Sequence, residues 1–147
     1  DYTEGQKDYI ESSINVSKLQ SVNEKLIIDS DVIVVEELQF FPDAFEQIVK
    51  WVDKYGKIVI AAGLVGDSNR NPFGDVLRLI PYADEVQKLN AMCAKCRDGT
   101  PAHFSISNVN KSSQTMVGSS EYDAVCRHHY LEDFYKKETQ CYNNLKK

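Results

Sequence analysis

Two apolar runs with a helical pattern between them dominate the first half of the chain. Residues 31–36 (DVIVVE) contain four consecutive β-branched residues, which are typical of a strand buried on both faces in a parallel sheet. After Pro42, Asp43 can cap a helix whose apolar residues recur at helical spacing, and Gly56 is placed to end it. Residues 57–62 (KIVIAA) then indicate a second buried strand. Strand, helix and strand together predict a βαβ unit with a right-handed crossover.

The pattern changes after the second strand. Residues 63–72 form a predicted loop at the carboxyl end of that strand, where ligands bind in open α/β sheets. Residues 73–80 predict a short helix and residues 83–89 a third strand. From about Cys93 helices and strands stop alternating, and short polar segments follow. We therefore expect an α/β core over residues 1–90, a small subdomain over 91–130 with short strands at 103–106 and 115–117, and a charged tail over 131–147 that is compatible with a helix.

Composition and charge narrow the class of protein. Apolar residues make up 42% and charged residues 27% of the chain, which is ordinary for a soluble globular protein. The formal net charge of −5 argues against a uniformly basic nucleic-acid surface. No run of 18 apolar residues is present, so we expect no membrane-spanning helix, and the first residues carry no apolar signal segment. The chain does not begin with Met, and we expect it to start inside a longer gene product.

Cysteine and histidine occur in a spacing that suits a metal site. Cys93-x-x-Cys96 is followed, after 29 intervening residues, by Cys126-x-x-His129. Two short-spaced ligand pairs can close a tetrahedron around Zn²⁺, and thiolates with an imidazole suit that ion. Four protein ligands leave no open position, so the site is predicted to be structural and to hold together a segment too small to make its own core.

Other interpretations of these residues stay open. The cysteines can be ordinary thiols beside a surface histidine, or C-x-x-C can be a redox motif, although no thioredoxin-like helix start precedes it. His128 competes with His129 as fourth ligand, and the matching C-x-x-X spacing favours His129. Cys141 lies outside the pattern and is interpreted as a free thiol. His103 falls in a predicted strand and is interpreted as a partly exposed structural residue.

Two acids follow the first apolar run directly. Glu36 at the end of a buried strand matches a Walker B arrangement, which can position Mg²⁺ beside nucleotide phosphates, and Glu37 can then serve as a general base. Adjacent strand residues face opposite sides, so the two glutamates need different roles. Solvated acids at a strand end are the plain alternative. The phosphate-binding motif G-x-x-x-x-G-K-[ST] occurs nowhere in the 147 residues, and Gly56-Lys57 leads into a strand instead of a helix.

Four longer strings carry a family resemblance. They are VVEELQFFPD (34–43), AAGLVGDSNRNPFGDVLRLIPYAD (61–84), VQKLNAMCAKC (86–96) and VGSSEYDAVCRHHY (117–130). In this order and spacing they resemble the type II thymidine kinases, a zinc-containing, tetrameric family, across about residues 29–130. The resemblance implies a P-loop, Rossmann-like parallel α/β sheet with a small zinc-binding lasso subdomain. The family's first strand, phosphate loop and following helix would precede residue 1, so we expect the sheet to be incomplete at the N-terminus.

The resemblance also implies an activity and its partners. Enzymes of this kind transfer the γ-phosphate of ATP to the 5′-hydroxyl of thymidine with Mg²⁺, in nucleotide salvage for DNA synthesis, and deoxyuridine is a further candidate substrate. They are cytoplasmic homotetramers with structural Zn²⁺, and dTTP is their feedback inhibitor. Glu37 matches the catalytic base, and Glu36 stands where the family usually has an Asp, so the longer side chain displaces the carboxylate that would hold Mg²⁺. The residues that match substrate-binding positions are Phe40, Leu64, Arg70, Phe73, Met116, Val117, Gly118 and Tyr122.

Competing hypotheses remain for the same positions. Phe40, Leu64 and Phe73 can be core residues, Tyr122 a packing residue and Arg70 a solvated loop charge. A second hypothesis for the whole chain is a degenerate, catalytically inactive relative that serves as a structural or assembly subunit. It is supported by Glu36, by the missing phosphate loop, and by Leu38, Val65 and Ser68, which depart from the family pattern. A zinc-containing nucleic-acid-binding module is a third hypothesis, which the acidic charge disfavours.

Overall fold

The computed structural model describes residues 13–107 and 122–144, with side chains up to residue 139. No helix in this part of the chain is both long and apolar enough to cross a membrane. Short 3₁₀ turns lie at Leu19–Ser21, Leu38–Phe40 and Ile80–Tyr82. The helices and strands are α1 (Glu24–Asp29), β1 (Val32–Val35), α2 (Ala44–Val49), β2 (Ile58–Ala61), α3 (Val76–Leu79), β3 (Ala91–Met92), β4 (Pro101–Ala102), β5 (Phe104–Ser107), β6 (Tyr122–Val125) and α4 (Arg127–Asn144).

The chain divides into two compact units. The first unit contains the residues up to Val65 together with Gly74–Tyr82, and the second contains Gly66–Phe73 together with the residues from Ala83 onwards. Most of the loop after β2, from Gly66 onwards, therefore belongs to the second unit.

The first unit is built on a βαβ arrangement, as the sequence predicted. β1 and β2 run parallel, with Val32 opposite Ile58 and Val35 opposite Ala61. α2 continues into a π-helical turn over Lys50–Lys54, and Gly56, at a left-handed φ of 64°, closes it with an N–H to the Val52 carbonyl. The buried core consists of Leu19, Ile27, Val35, Leu38, Ala44, Ile48, Trp51 and Leu79.

One face of this small sheet is exposed, so the prediction of strands buried on both faces is wrong for the described residues. Ile33, Val35 and Val59 point to the core, whereas Val34 is 62% and Ile60 57% exposed. Side chains alternate along a strand, and only the face that carries the helices is covered. The structure thus shows a small parallel sheet, which is part of the predicted α/β class.

Asp43 stands at the start of α2, but its side chain does not cap that helix as predicted. Its carboxylate accepts the backbone N–H groups of Leu19, at 3.0 Å, and Gln20, at 2.8 Å. A carboxylate can satisfy any nearby free N–H group, and the 3₁₀ turn that packs beside α2 supplies two of them. Asp43 therefore connects the N-terminal segment to the sheet unit.

The predicted third strand over residues 83–89 is also wrong. Residues 83–90 contain no regular element, and Val86 and Leu89 are 58% and 79% exposed. Apolar side chains that face solvent provide no packing to hold a strand in a sheet, and the next strand, β3, begins only at Ala91. The short helix expected before it is present as α3 with the 3₁₀ turn that follows.

The second unit consists of two small antiparallel ribbons and a helix. β3 pairs with β4, β5 pairs with β6 with Phe104 opposite Val125, and α4 follows β6. The strand predicted near residues 103–106 is confirmed as β5, and the charged tail is helical up to Asn144. The strand predicted at 115–117 lies outside the described residues. In the described part of this unit, the buried core cluster consists of Cys93, Ala102, Ile106, Val125 and Tyr130.

Candidate functional site

A cluster of three cysteines and one histidine forms the centre of the second unit. Cys93 and Cys96 lie on the turn after β3, Cys126 directly follows β6, and His129 is in the first turn of α4. Two backbone hydrogen bonds hold the turn in place: Cys93 N–H to the Thr100 carbonyl at 2.8 Å, and Ala94 N–H to the Ala124 carbonyl at 2.9 Å. The antiparallel ribbons therefore bring together the two ligand pairs that the sequence predicted.

The separations within this cluster fit a tetrahedral metal site. With zinc–sulfur bonds of about 2.3 Å and zinc–nitrogen bonds of about 2.0–2.1 Å, a tetrahedron places two sulfurs about 3.8 Å apart and sulfur and nitrogen about 3.5 Å apart. The Cys96 and Cys126 sulfurs are 3.8 Å apart. His129 Nδ1 lies 3.5 Å from the sulfurs of Cys93 and Cys96 and 3.4 Å from that of Cys126. All four ligand atoms lie within 4.8 Å of one another, so these side chains could hold one metal ion.

The two thiols of the C-x-x-C pair have opposite electrostatic environments. Burial opposes ionisation of Cys93, which is 2% exposed, but backbone N–H groups, first among them that of Cys126, lower its pKa to about 6. Burial, followed by the contact with Cys93, raises the pKa of Cys96 to about 11. A bound divalent cation would favour the thiolate form of both side chains. The three cysteines of the cluster are free thiols with no disulfide between them.

His128 has a different environment from His129. Its side chain is exposed, and its Nε2 lies 3.6 Å from a carboxylate oxygen of Glu132 one turn along α4. His128, His129 and Glu132 also form a compact group, but the group is mostly exposed and shares His129 with the cysteine cluster. Between the two histidines considered from the sequence, the geometry brings His129 to the thiols.

The two glutamates lie side by side at the carboxyl end of β1, and both are exposed. Glu37 has a left-handed backbone with φ of 54°, which is uncommon for a residue other than glycine, and residues in this conformation are enriched at functional sites. Its Oε2 accepts a hydrogen bond of 2.5 Å from the side-chain amide of Gln39. The parallel pairing places the end of β2 beside them, because Val35 is opposite Ala61.

The predicted substrate-binding residues are distributed over both units. In the first unit, Phe40 is 37% and Leu64 52% exposed, so neither is a core residue. In the second unit, Phe73 is buried and Tyr122 is half-buried in β6. Met116, Val117 and Gly118 lie outside the described residues.

Arg70 is held against aromatic rings of α4. Its guanidinium carbon lies 4.8 Å from the ring centre of Tyr130 and 5.9 Å from that of Phe134. Arg70 has a left-handed φ of 66°, and the Tyr130 hydroxyl donates to the Ser68 carbonyl at 3.0 Å. The loop after β2 is thereby attached to α4, a contact that sequence reasoning missed because it joins residues about 60 positions apart.

Gln39 is the other residue that sequence reasoning missed. Among the described residues it is the one polar side chain in the buried class, at 5% exposed. The available signal was a polar residue within an otherwise apolar run, Leu38–Phe41, directly after the two acids.

Comparison with known proteins adds independent information. The family model described as thymidine kinase matches residues 3–130. A thymidine kinase of Oryza sativa subsp. japonica is 42% identical over 120 residues, which cover 78% of this chain and 44% of the relative. Thymidine kinase a of Arabidopsis thaliana is 44% identical over 118 residues, covering 77% of this chain and 49% of the relative. A thymidine kinase of Monkeypox virus is 38% identical over 122 residues, which cover 82% of this chain and 67% of the relative. The chain spans about half the length of the plant relatives it matches.

Proposed function

This chain belongs to the thymidine kinase family, and we propose that the full-length protein containing it transfers the γ-phosphate of ATP to the 5′-hydroxyl of thymidine. The observation that carries the proposal is the exposed Glu37 carboxylate at the carboxyl end of a parallel strand, held by a buried amide. Ligands of open α/β sheets bind at this end of the strands. Deoxyuridine, which differs from thymidine only by a methyl group, is the second substrate to test.

In the proposed reaction Glu37 acts as general base. Its carboxylate accepts the proton of the 5′-hydroxyl while that oxygen forms a bond to the γ-phosphorus. The bond between the γ-phosphorus and the β,γ-bridging oxygen breaks, and ADP leaves with the electron pair. Phosphoryl transfer depends largely on positioning and charge stabilisation, so the orientation of the carboxylate matters more than its strength as a base.

Glu36 is proposed to hold Mg²⁺, whose charge neutralises the phosphate oxygens when it is bound. The residue fits this role in charge and in its exposed place at the strand end, next to the base. Walker B carboxylates often act through a water molecule, which can accommodate the extra methylene of a glutamate.

Proposed substrate contacts follow the predicted residues. Phe40 and Leu64 are exposed near the carboxyl ends of the strands, where they would contact the nucleoside. Phe73, Arg70 and Tyr122, which belong to the second unit, are proposed substrate contacts because they match the family pattern. Met116, Val117 and Gly118 would bind the base edge through their backbone, which suits thymine because it offers a donor between two acceptors.

The cysteine–histidine cluster is proposed to bind structural Zn²⁺. Four protein ligands at tetrahedral separations leave no position for substrate, so the ion would stabilise the second unit and take no part in catalysis. Metal analysis of the purified protein should give about one zinc per chain. A folded, metal-free protein would contradict the assignment.

The remaining proposals rest on family membership. They are a cytoplasmic homotetramer acting in nucleotide salvage, dTTP as feedback inhibitor, and a division into a kinase core at 1–90, a zinc and lasso subdomain at 91–130 and a tail at 131–147.

The direct test is transfer of labelled phosphate from ATP by the full-length protein, with thymidine, deoxyuridine, deoxycytidine and deoxyadenosine as acceptors. We expect labelled thymidine monophosphate and little labelling of the cytosine and adenine nucleosides. No transfer to any acceptor by a folded, zinc-loaded protein would favour the alternative of a catalytically inactive structural subunit.

A further inference from the structure

Gln39 connects the proposed base to the end of the neighbouring strand. It lies in the 3₁₀ turn Leu38–Phe40 that follows the two glutamates, and its side chain is 5% exposed. Its Nε2 is 2.5 Å from Glu37 Oε2, and its Oε1 accepts the backbone N–H of Leu64 at 2.9 Å. One buried amide thus joins the carboxylate after β1 to the loop after β2.

The orientation of this amide follows from the chemistry of its partners. A backbone N–H can only donate, so the atom that faces Leu64 must be the amide oxygen. The NH₂ group then faces Glu37, whose ionised carboxylate can only accept. Both hydrogen bonds are satisfied in one orientation, whereas a flipped amide would lose both.

Two glycines lie close to Gln39, one beside its amide oxygen and one beside its backbone. A Cβ atom at Gly63 would lie 2.8 Å from Gln39 Oε1, and a Cβ atom at Gly74 would lie 2.5 Å from the Gln39 carbonyl oxygen. The turn is also tied to the end of β2, because Leu38 N–H donates to the Ala62 carbonyl at 2.9 Å. Gln39 therefore lies in a closely packed part of the first unit, where its amide is buried and hydrogen-bonded at both ends.

Glu37 itself is not fixed by burial. Its side chain is exposed and has three rotatable bonds, so an unsupported carboxylate would populate several rotamers. A hydrogen bond from a buried, immobile donor selects one of them. Leu64 is a proposed nucleoside contact. The same amide therefore links the proposed general base, Glu37, to a residue that would contact the nucleoside.

We propose that Gln39 is a positioning residue for the kinase reaction, holding the Glu37 carboxylate in the orientation that accepts the 5′-hydroxyl proton. The inference rests on the proposed function of Glu37. It goes beyond that function by assigning a role to a side chain that is not among the proposed substrate contacts.

The test is a double-mutant cycle in the full-length protein with Gln39→Met, Glu37→Gln and the combined variant. Methionine is close to glutamine in size but forms neither hydrogen bond. We expect Gln39→Met to lower kcat between about 10-fold and about 100-fold, with the KM for ATP changed by less than about 2-fold. In the Glu37→Gln background the same substitution should have no further effect on kcat, because its effect acts through the carboxylate.

Two other outcomes would distinguish failure of the positioning role of Gln39 from failure of the base role of Glu37. If Gln39→Met leaves kcat unchanged, or lowers it by the same factor in both backgrounds, the positioning role is overturned and the base role of Glu37 survives. If Glu37→Gln turns over as fast as the wild type, the proposed base is wrong and the inference fails with it.

Two controls address folding. Gln47→Met in α2 makes the same chemical change at a half-buried site and should leave kcat unchanged. If Gln39→Met does not fold, Gln39→Glu takes its place. Glutamate keeps an acceptor for the Leu64 N–H, but at alkaline pH, with both carboxylates ionised, it has no donor for Glu37 and repels it, so we expect kcat to fall by at least the same factor there. Wild-type kcat in folded Gln39→Glu protein at alkaline pH would overturn the proposal.

Discussion

The two units of this chain are stabilised in different ways. Among the described residues, the buried core cluster of the first unit has eight apolar members, including Trp51, around a parallel strand pair and α2. The cluster described in the second unit has five members, one of which is Cys93, and Phe73 is buried apart from it. A described core of this size contributes less hydrophobic stabilisation than that of the first unit, so we expect the second unit to depend on metal binding by its thiol and imidazole cluster and the first to depend on apolar burial. The proposed base lies in the first unit and the proposed zinc site in the second. The catalytic role of Glu37 can therefore be tested separately from the stabilising role of the zinc site.

The largest expected effect is the loss of the zinc cluster through Cys96→Ser. Structural zinc contributes on the order of 10 kcal/mol to folding of small metal domains. We expect the variant to lose its zinc and the second unit to lose protection from hydrogen exchange, while β1, α2 and β2 stay protected. Hydrogen exchange with mass spectrometry and metal analysis measure both.

Cys141→Ser is the matched control, because Cys141 lies outside the predicted ligand set, and it should retain the zinc. If Cys96→Ser keeps full protection from hydrogen exchange in β5 and β6, the second unit does not depend on the zinc cluster for its stability.

The second-largest effect is expected from Trp51→Ala, which changes the core of the first unit. The side chain is 3% exposed, and removing a buried tryptophan should lower the free energy of unfolding by about 3–5 kcal/mol. Denaturant unfolding followed by circular dichroism measures this, with Leu89→Ala, at an exposed site, expected to stay within about 0.5 kcal/mol of the wild type. Zinc content should be unchanged in the Trp51 variant, and its loss would show that the units are not independent.

A smaller effect is expected from Arg70→Gln. The guanidinium over the Tyr130 ring is an exposed cation–π contact, and removing it should destabilise the second unit by about 0.5–1 kcal/mol. Thermal unfolding of the zinc-loaded protein tests this, with Lys136→Gln as control for the loss of an exposed charge in α4. No difference between the two variants would remove the stabilising role of Arg70 and leave only its proposed substrate contact.

The smallest effect concerns Glu24, whose pKa is lowered first by the hydrogen bond from the Tyr55 hydroxyl and then by Lys50. A lowered folded-state pKa contributes stability above the usual glutamate value, and this contribution is lost as pH falls through the folded-state pKa. We expect Tyr55→Phe to raise the pKa of Glu24 in a carboxyl NMR titration, while Tyr82→Phe should leave it unchanged. An unaltered titration in Tyr55→Phe would show that the hydroxyl contributes nothing.

Elements with local determinants could be predicted from the sequence. Consecutive β-branched residues predicted β1 and β2, and the left-handed glycine after α2 marked its end, because these signals act over a few residues. The spacing of Cys93, Cys96 and Cys126 likewise predicted which side chains would meet. The prediction of two buried faces failed because burial depends on which elements cover the sheet.

Features that depend on distant partners could not be predicted. The Asp43 carboxylate binds N–H groups more than 20 positions away instead of capping its own helix. Gln39 forms its second hydrogen bond with Leu64, 25 positions away, so its part in the site becomes visible only when β1 and β2 are paired. Periodicity and motifs in a sequence do not identify a single buried amide such as that of Gln39.

The most direct test of the central claim compares Glu37→Gln with Glu36→Gln in the full-length protein, by measuring kcat for thymidine phosphorylation. We expect Glu37→Gln to lower kcat by about 100-fold or more with zinc and thymidine binding retained, because only the proton acceptor is lost. Glu36→Gln should instead raise the Mg²⁺ concentration needed for half-maximal rate. Thymidine phosphorylation at the wild-type rate by Glu37→Gln would contradict the claim.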